Sequence, residues 1–409
     1  MITVSILGYG NRGRRYGNAL KKHNDAKITA VCDINPKFLK LAEKAFSLDS
    51  GMLFGNEDDF FKQGKLSDAL VIASQDRDHY RHAISALNLG YHLLLEKPVS
   101  PVYAECEEIY NLAKEKNLKI MVCHVLRYSP FYDAIKKIIV SGEIGDVVSI
   151  HDTENIAYWH YAHSYVRGNW GVEENSSPSI LAKCCHDLDI LYYFAGSSKA
   201  KSVFSVASRT NFTPENAPEG ATDYCLSGCP HRKTCVYDSA KQYYKPTLHS
   251  FPLMGVNIKL VTGMDKPRLK HLKQALKTSR YGRCVYKCGA NVMEDQLVGI
   301  KFENGVNASL KMTAFSNMCF RQLHICGTKG EIIGKDLGCK LKVNVFGGKK
   351  RKVKIKGSNV FNHHGGDTGI VNDFIEYLKT GNKTERLSTM EVTLESHRIA
   401  SLAEESRKR

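Results

Sequence analysis

Long apolar runs are missing from the 409-residue sequence. No stretch approaches the roughly 18 consecutive apolar residues that a membrane-spanning helix needs, which argues against an integral membrane protein. The first residues, Met1-Ile2-Thr3, lead directly into a short strand-like run, without the basic segment and cleavage site of a secretory signal. We therefore expect a cytoplasmic protein with no membrane partner.

A single block of like charge is also missing, although 58 basic and 42 acidic residues give a formal charge of +16. The basic residues form several separate clusters, and no nucleic-acid-binding motif accompanies them. A solvated basic surface is the simpler interpretation of these clusters, and attraction of an anionic small molecule is the alternative. We expect no nucleic-acid partner.

The chain does contain, at its start, the pattern of a strand, a tight turn and a helix. An apolar run at residues 4–7 is followed by Gly8, Gly10 and Gly13 with the spacing G-x-G-x-x-G. In a dinucleotide-binding site the first glycine allows the turn, the second lets backbone approach a pyrophosphate, and the third brings the helix close to the strand. The helix N-terminus would then face the phosphates.

An acidic residue follows at the distance that this motif requires. The next apolar run, residues 28–32, ends in Asp33, about 20 residues beyond the glycines, where a carboxylate can bind an adenosine ribose. Asp33 favours NAD, but the basic residues Arg12, Arg14, Arg15 and Lys37 keep NADP open. The alternative is a glycine turn in another α/β protein, with Asp33 capping a helix.

Strands and helices alternate through the first third of the chain. Apolar runs at residues 66–73, 91–95 and 119–123 are separated by segments of helical spacing, which predicts a parallel sheet with crossover helices. The alternation ends near residue 127. We therefore predict an α/β Rossmann domain at residues 1–125 and a second domain at residues 126–409.

The second domain has a different pattern. Longer strand-like runs, with a hairpin turn signal at Asn304-Gly305, predict an α+β domain with a large, mostly antiparallel sheet. A turn-rich, cysteine-rich insertion is predicted at about residues 211–291, and closing helices at residues 368–407. No internal repeat is present.

Three further motifs carry a family resemblance. Residues 96–98 read Glu-Lys-Pro at the end of the fourth strand, residues 127–130 read Arg-Tyr-Ser-Pro, and residues 186–189 read His-Asp-Leu-Asp. Together with the glycine turn, they resemble the Gfo/Idh/MocA family of oxidoreductases over nearly the whole chain. The resemblance implies a two-domain, NAD(P)-dependent enzyme that acts on sugars or polyols.

By this resemblance, Lys97 would line the nicotinamide site and contact the substrate hydroxyl. A lysine at the carboxyl end of a parallel strand lies where ligands bind, and a lowered pKa would let it transfer a proton. The alternative is a structural Glu96–Lys97 pair. The candidate cofactor-binding residues are Gly8, Gly10, Asn11, Arg12, Gly13, Asp33, Ser74, His79, Glu96 and Lys97.

The resemblance makes His186 the second acid/base group, since a histidine titrates near neutral pH. The alternative is a structural helix histidine. Many dehydrogenases of the family carry an aspartate four residues before this histidine, but here the position is Ala182. Lys183 can share a helix face with His186, where it would suit an anionic substrate or lower the pKa of His186. A surface lysine is the alternative.

An aromatic segment at residues 158–170 contains both tryptophans. Aromatic rings stack on sugars, and histidine and arginine bind hydroxyls and acid groups. We therefore predict substrate contacts from Tyr158, His160, His163 and Arg167, in addition to Lys183 and His186. The alternative is an aromatic cluster beneath a long loop.

The predicted insertion contains Cys225, Cys229, Cys235 and Cys284. Four thiolates could bind a structural zinc ion or an iron–sulfur cluster, although the spacing differs from that of C-x2-C zinc ribbons. A disulfide or free thiols are the alternatives.

Three functional hypotheses follow. The first is an NAD(P)-dependent oxidoreductase acting on a sugar or sugar derivative, with Lys97 and His186 relaying the proton. The second is a redox-neutral glycosidase that keeps NAD bound while it oxidises the sugar, eliminates the aglycone, adds water and reduces the product. The third is a sensor that binds the cofactor without catalysis. We expect a homo-oligomer that binds a small carbohydrate, with an anionic substrate left open.

Overall fold

The computed structural model describes residues 1–244, 258–264, 267–355 and 365–409. Parts of the predicted insertion, residues 245–257 and 265–266, lie outside the described residues. Among the helices that are described, none combines the length and the apolar character that a membrane crossing requires.

The N-terminal part forms a six-stranded parallel sheet with the order β3-β2-β1-β4-β5-β6. Its strands are β1 Ile2–Leu7, β2 Ala26–Cys32, β3 Leu53–Phe54, β4 Ala69–Ile72, β5 His92–Leu95 and β6 Ile120–Val122. The helices are α1 Asn11–Lys21, α2 Pro36–Phe46, α3 Glu57–Lys62, α4 His79–Asn88 and α5 Tyr103–Glu115. The predicted doubly wound Rossmann fold is confirmed.

The strand order fixes the position of the ligand crevice. Because β2 and β4 lie on opposite sides of β1, the chain changes direction across the sheet at β1. In doubly wound sheets, ligands bind at the carboxyl ends of the strands at such a switch point. The glycine turn follows β1 at this edge of the sheet.

The C-terminal part contains an eight-stranded sheet with the order β14-β13-β12-β11-β7-β10-β9-β8. Only β7 and β10 pair in parallel among the described strands, so the predicted mostly antiparallel sheet is confirmed. The strands are β7 Val147–Ala157, β8 Ala200–Ser208, β9 Asp295–Phe302, β10 Asn307–Ser316, β11 Phe320–Gly327, β12 Gly330–Lys335, β13 Lys340–Val345 and β14 Lys350–Val353. The hairpin turn between β9 and β10 occurs at Gly305, with φ of 90°.

Helices cover one face of this sheet. The described helices of the C-terminal part are α6 Pro130–Val140, α7 Tyr158–Tyr161, α8 Ser179–Phe194, α9 Ser239–Tyr243, α10 Leu269–Thr278, α11 Gly366–Thr380 and α12 Met390–Arg407. Of these, α8 packs on β7 and β10, and α12 packs on β8. The central helix α8 is buried almost all round, as expected for a helix with little polar surface between two domains. The other sheet face is exposed, and side chains along β9 alternate between buried and accessible.

Helix α11 packs on the N-terminal sheet. Ile370, Val371 and Phe374 share an apolar core with Val4 and Ile6 of β1. The packing therefore crosses the predicted boundary at residue 125. The elements β3, α3 and α10 were not predicted. β3 and α3 are too short to show a periodic pattern, whereas α10 does carry leucines at helical spacing, Leu269, Leu272 and Leu276, inside the insertion.

Candidate active site

The glycine turn has the geometry of a phosphate-binding loop. Gly8 has φ of +88°, and a Cβ on it would lie 2.5 Å from the carbonyl oxygen of Ala73. A Cβ on Gly13 would lie 2.0 Å from the carbonyl oxygen of Gly8, whereas one on Gly10 would meet nothing within 4 Å. Gly10 caps α1 without a side-chain hydrogen bond. The open space at Gly10 and the helix N-terminus fit a dinucleotide pyrophosphate.

Asp33 lies at the carboxyl end of β2, beside this turn. Its carboxylate accepts hydrogen bonds from the backbone N–H of Tyr9 at 2.6 Å and of Asn35 at 2.7 Å. Burial raises the pKa of Asp33, and these two N–H groups oppose that rise. The carboxylate is thus fixed at the edge where an adenosine ribose would bind.

Arg12 and Glu96, both predicted cofactor residues, form an ion pair with each other. The distance from Arg12 Nε to Glu96 Oε1 is 2.6 Å, and Arg12 Nη2 lies 2.9 Å from Asp367 of α11. Burial acts to raise the pKa of Glu96, but the attraction of Arg12 and Lys97 outweighs it, so the pKa is lowered. This network joins the glycine turn, the Glu-Lys-Pro motif and α11. Asn11, the neighbour of Arg12, is the first residue of α1.

Ser74 and His79 occupy the edge between β4 and α4. The Ser74 hydroxyl lies 2.9 Å from His82 Nδ1, and His79 Nδ1 lies 2.7 Å from the carbonyl oxygen of Pro98. His79 Nε2 is buried without a hydrogen-bond partner among the described residues. His79 therefore supports the loop that carries Lys97 and has one nitrogen left to face a ligand.

Lys97 contacts the helix that carries His186. Lys97 follows β5, and its Nζ donates a hydrogen bond to the carbonyl oxygen of Ala182 at 2.8 Å. Ala182 lies one helical turn before His186 on α8, and His186 is 7% exposed. Lys97, at the carboxyl edge of the parallel sheet, is thus held against α8 one turn before His186.

Lys183 belongs to a buried ionic network beneath this site. Its Nζ lies 2.8 Å from Glu154 Oε1 on β7, and Arg321 of β11 lies between Glu154 and Asp187. Burial alone would lower the pKa of Lys183, but the attraction of Glu154 raises it. Burial and the neighbouring Asp187 raise the pKa of Asp152 strongly. Lys183 is therefore charge-compensated, and its side chain is only 19% exposed.

The aromatic segment divides into two parts. Tyr158 and His160 are half-buried at its start, near the end of β7. Burial, with the charge of Lys183, lowers the pKa of His160 to about 3, so its ring is neutral. These two residues stay candidates for substrate contact.

His163 and Arg167 instead hold the insertion. His163 Nδ1 lies 2.7 Å from the Tyr243 hydroxyl, and its ring stacks on Tyr281 at 5.0 Å. Arg167 donates to the carbonyl oxygens of Arg283 and Tyr237, each at 2.8 Å, and to Gln242 Oε1 at 2.5 Å. Because these contacts occupy the guanidinium of Arg167, we remove Arg167 from the candidate substrate site. For His163 they engage Nδ1 and the ring face only, so its contact with substrate stays a prediction.

The predicted metal site is not formed. Cys225, Cys229, Cys235 and Cys284 line one small cavity of about 20 Å³ together with Arg167. Even so, the described part of the chain contains no group of three or more His, Cys, Asp or Glu side chains that could hold a metal ion. None of these four cysteines forms a disulfide, so the disulfide alternative is wrong as well. The insertion is held by Arg167 and by aromatic packing.

Sequence reasoning did not select His124, which lies beside His186, or Asp189 and His397, which lie beside His124. The rings of His124 and His186 lie 6.0 Å apart, and Arg127 forms a two-bond ion pair with Asp189 at 2.7 Å. The signal was present in part, since Arg127 and Asp189 belong to motifs that had been noted. Their pairing across 62 residues was not visible from spacing alone.

A doubly wound sheet with this glycine turn at its ligand edge defines the class of dinucleotide-binding proteins. The chain belongs to the Gfo/Idh/MocA family. The family model described as "Oxidoreductase family, NAD-binding Rossmann fold" matches residues 2–124, and the model of the family's C-terminal alpha/beta domain matches residues 136–409.

Two similar proteins share about a quarter of their aligned residues with this chain. YteT of Bacillus subtilis (strain 168), a protein named as an oxidoreductase, is 23% identical over 319 residues, which are 75% of this chain and 69% of YteT. The 2,7-anhydro-N-acetylneuraminate hydratase of Escherichia coli (strain K12) is 24% identical over 196 residues, 48% of this chain and 50% of the hydratase. The chain therefore matches only about half the length of that relative.

A solved levoglucosan dehydrogenase in complex with NADH is similar in fold. It superposes with a TM-score of 0.72 at 17% identity, covering 100% of this chain and 97% of that one. At this level of identity the likeness establishes the fold alone.

Proposed function

We propose that the protein is an NAD-dependent oxidoreductase that transfers hydride at a hydroxyl-bearing carbon of a sugar or sugar derivative. The observation that carries the proposal is the hydrogen bond from Lys97 Nζ to the Ala182 carbonyl oxygen at 2.8 Å, which holds Lys97 against the helix that carries His186 one turn later. Family membership supports the reaction class. Bound nicotinamide would supply the hydride acceptor, and the protein's own residues would bind the substrate and move the proton.

In this proposal Lys97 binds the reacting hydroxyl oxygen of the substrate and polarises its O–H bond. His186 accepts the proton that leaves this oxygen and returns it in the reverse direction. The low exposure of His186 excludes bulk water from the reacting atoms. Tyr158 and His160, at the start of the aromatic segment, are proposed to contact the sugar ring.

The cofactor would be held by the glycine turn and the N-terminus of α1, with Asp33 on the adenosine ribose. Because Asp33 is a carboxylate fixed by two backbone N–H groups, it would repel the 2′-phosphate of NADP. We therefore propose NAD as the cofactor. Asp33→Ala should weaken NAD binding about tenfold and affect NADP much less, as measured by protein fluorescence titration.

A second candidate function is redox-neutral chemistry with NAD retained between steps. The observation that favours it is Ala182, since the carboxylate common in the family's dehydrogenases is missing beside Lys97 and His186. A matched relative is named a hydratase, and its neuraminate-derived substrate is a sugar acid. A glycosidase or hydratase acting on an anionic sugar would fit this resemblance.

The nucleotide carried by the purified protein tests both candidates. The protein is denatured, and the released nucleotide is identified by absorbance and mass spectrometry. Near-stoichiometric NAD would favour the redox-neutral candidate and a screen of glycosides and anhydro sugars. Reversible uptake of free NAD would favour the dehydrogenase and a screen of sugars and sugar acids at 340 nm. A protein that takes up neither NAD nor NADP would contradict both candidates.

We also propose that copies of the chain associate through the open face of the C-terminal sheet. Phe204 and Val206 of β8 and Leu297 of β9 are exposed on adjacent strands of this face. Exposed apolar side chains grouped on one surface favour association. Light scattering at micromolar concentration should give the mass of an oligomer, and Leu297→Lys should lower it; a monomeric mass for the wild type would contradict the proposal.

A further inference from the structure

His124 is buried in an unusual way behind the candidate active site. It follows β6, it is 0% exposed, and neither ring nitrogen has a hydrogen-bond partner among the described residues. Leaving buried polar atoms without partners destabilises a fold, so each such group calls for an explanation. The nearby His397 is different, because its Nε2 accepts from Val99 N–H at 3.0 Å and its Nδ1 lies 3.2 Å from the Thr393 carbonyl oxygen.

The position of His124 relates it to His186. The two rings meet edge to face, with 6.0 Å between centroids and an interplanar angle of 81°. His124 Nδ1 also lies 3.9 Å from Asp189 Oδ2, which is too long for a hydrogen bond. Asp189 is one helical turn after His186, and its ion pair with Arg127 fixes the carboxylate. His124 therefore lies beside both the candidate proton acceptor and an immobile carboxylate on the same helix.

Burial keeps the His124 ring neutral, and the charged groups around it act in both directions. Burial is the largest effect and lowers the pKa of His124 to about 4. Asp189 and Glu96 raise this pKa, while Arg127 and Lys97 lower it, and the neighbouring His397 is itself neutral with a pKa of about 3. At neutral pH His124 thus has a nitrogen lone pair to offer as a hydrogen-bond acceptor.

We propose that His124 is a positioning residue that acts through His186, orienting its ring and stabilising its protonated form in place of the carboxylate that Ala182 replaces. The inference rests on the proposed role of His186 as proton acceptor. When His186 gains a proton, its N–H can donate to the neutral His124, which also lies near the negative charge of Asp189. Catalytic contacts that are loose in the free protein commonly tighten in the complex, and a small rotation of either ring would suffice.

The test does not require a substrate. The titration of His186 is followed by NMR of isotopically labelled protein, with His186→Gln used to assign its signal among the 16 histidines. His124→Phe keeps an aromatic ring but removes both nitrogens. We expect the pKa of His186 to fall by at least about 0.5 in this variant, a threefold change in its proton affinity. His124→Asn, which retains a hydrogen-bond acceptor, should recover part of the shift.

Stability gives a second readout. Because His124→Phe removes two unpartnered polar atoms, its Tm should equal or exceed that of the wild type. His397→Phe is the matched control, since it removes a hydrogen-bonded imidazole from the same cluster; its Tm should fall, while the His186 titration stays within about 0.2 of the wild-type value.

An unchanged His186 titration in His124→Phe would overturn the proposal, as would an equal shift in His397→Phe. The His186 titration can be judged independently of whether the protein oxidises a sugar. A shift in a protein that oxidises no sugar would uphold the role of His124 and contradict the oxidoreductase reaction. Sugar oxidation without a shift in the His186 pKa would uphold the oxidoreductase reaction and contradict the role of His124.

Discussion

Lys97 donates a hydrogen bond from its Nζ to the backbone carbonyl oxygen of Ala182 at 2.8 Å, which links the carboxyl end of β5 to the helix that carries His186. The backbone carbonyl of Ala182 supplies a dipole beside Lys97, whereas many dehydrogenases of the family have a carboxylate side chain at this position. The ammonium group of Lys97 is therefore positioned by backbone and keeps a free donor for a substrate hydroxyl.

Replacing Lys97 with methionine should separate chemistry from cofactor binding. The variant keeps the length of the side chain but cannot bind the hydroxyl oxygen, so sugar oxidation should fall by about 100-fold or more. The dissociation constant for NADH should change less than about threefold, as measured by fluorescence titration. Lys199→Met, an exposed lysine before β8, serves as the control. Equal activity in both variants would remove Lys97 from the mechanism.

A substitution in the glycine turn should separate the effect on NAD binding from the effect on folding stability. A Cβ on Gly10 would meet no atom within 4 Å, so Gly10→Ala should fold with an unchanged Tm. The added methyl group would occupy the space of the pyrophosphate, and NAD affinity should fall about tenfold or more. Calorimetric titration and thermal unfolding measure the two effects.

Gly13→Ala should behave in the opposite way. Its Cβ would lie 2.0 Å from the Gly8 carbonyl oxygen, inside the contact of α1 with β1, and backbone would have to move. We expect a loss of unfolding free energy of about 2 kcal/mol, typical of overpacking. If Gly10→Ala bound NAD normally, the assignment of this turn to the phosphates would be wrong.

Residues near one another in sequence were the predictable part of this site. The apolar runs and the glycine spacing indicated the parallel sheet, and Asp33 followed from its place after β2. The contact of Lys97 with the helix that carries His186 agrees with a strand end and a helix motif that the family resemblance had related. In each case a local pattern determined where the side chain lies.

Partners distant in sequence were not predictable. The residue spacing along α8 does not show that Lys183 pairs with Glu154 on β7. Lys183 shares a helix face with His186, and that face also faces the sheet. Similarly, Arg167 suits an acid group by its chemistry, yet its acceptors lie 70 to 116 residues later in the chain. Metal ligation by cysteines also depends on convergence in space, which their spacing did not determine.

The ionic network under α8 predicts an unusual pH dependence of stability. The pKa of Asp152 is raised in the folded protein by burial and by Asp187. In the unfolded chain this carboxyl loses its proton near pH 4, so the folded state binds more protons and stability declines as pH rises above about 4. Asp152→Asn cannot ionise and should remove that decline, giving a variant more stable than the wild type at pH 8 by about 1 kcal/mol or more.

Asp187→Asn should lower stability, in contrast to Asp152→Asn. Asp187 holds Arg321 through contacts of 2.5 and 3.1 Å, and its neutralisation would leave a buried guanidinium short of a partner. The loss should be about 3 kcal/mol in urea unfolding at pH 7. If Asp152→Asn lost as much stability as Asp187→Asn, Asp152 would be ionised in the native state and the predicted direction would be reversed.

Arg167 tests whether the aromatic segment serves the substrate or the insertion. Arg167→Met would leave the carbonyl oxygens of Arg283 and Tyr237 without their buried donor. We expect a loss of about 3 kcal/mol of stability and faster proteolysis within residues 211–291, because several hydrogen bonds vanish from a site closed to water. Lys270→Met, an exposed change in α10, should alter stability by less than about 0.5 kcal/mol. Wild-type stability with weakened sugar binding in Arg167→Met would return this arginine to the substrate site.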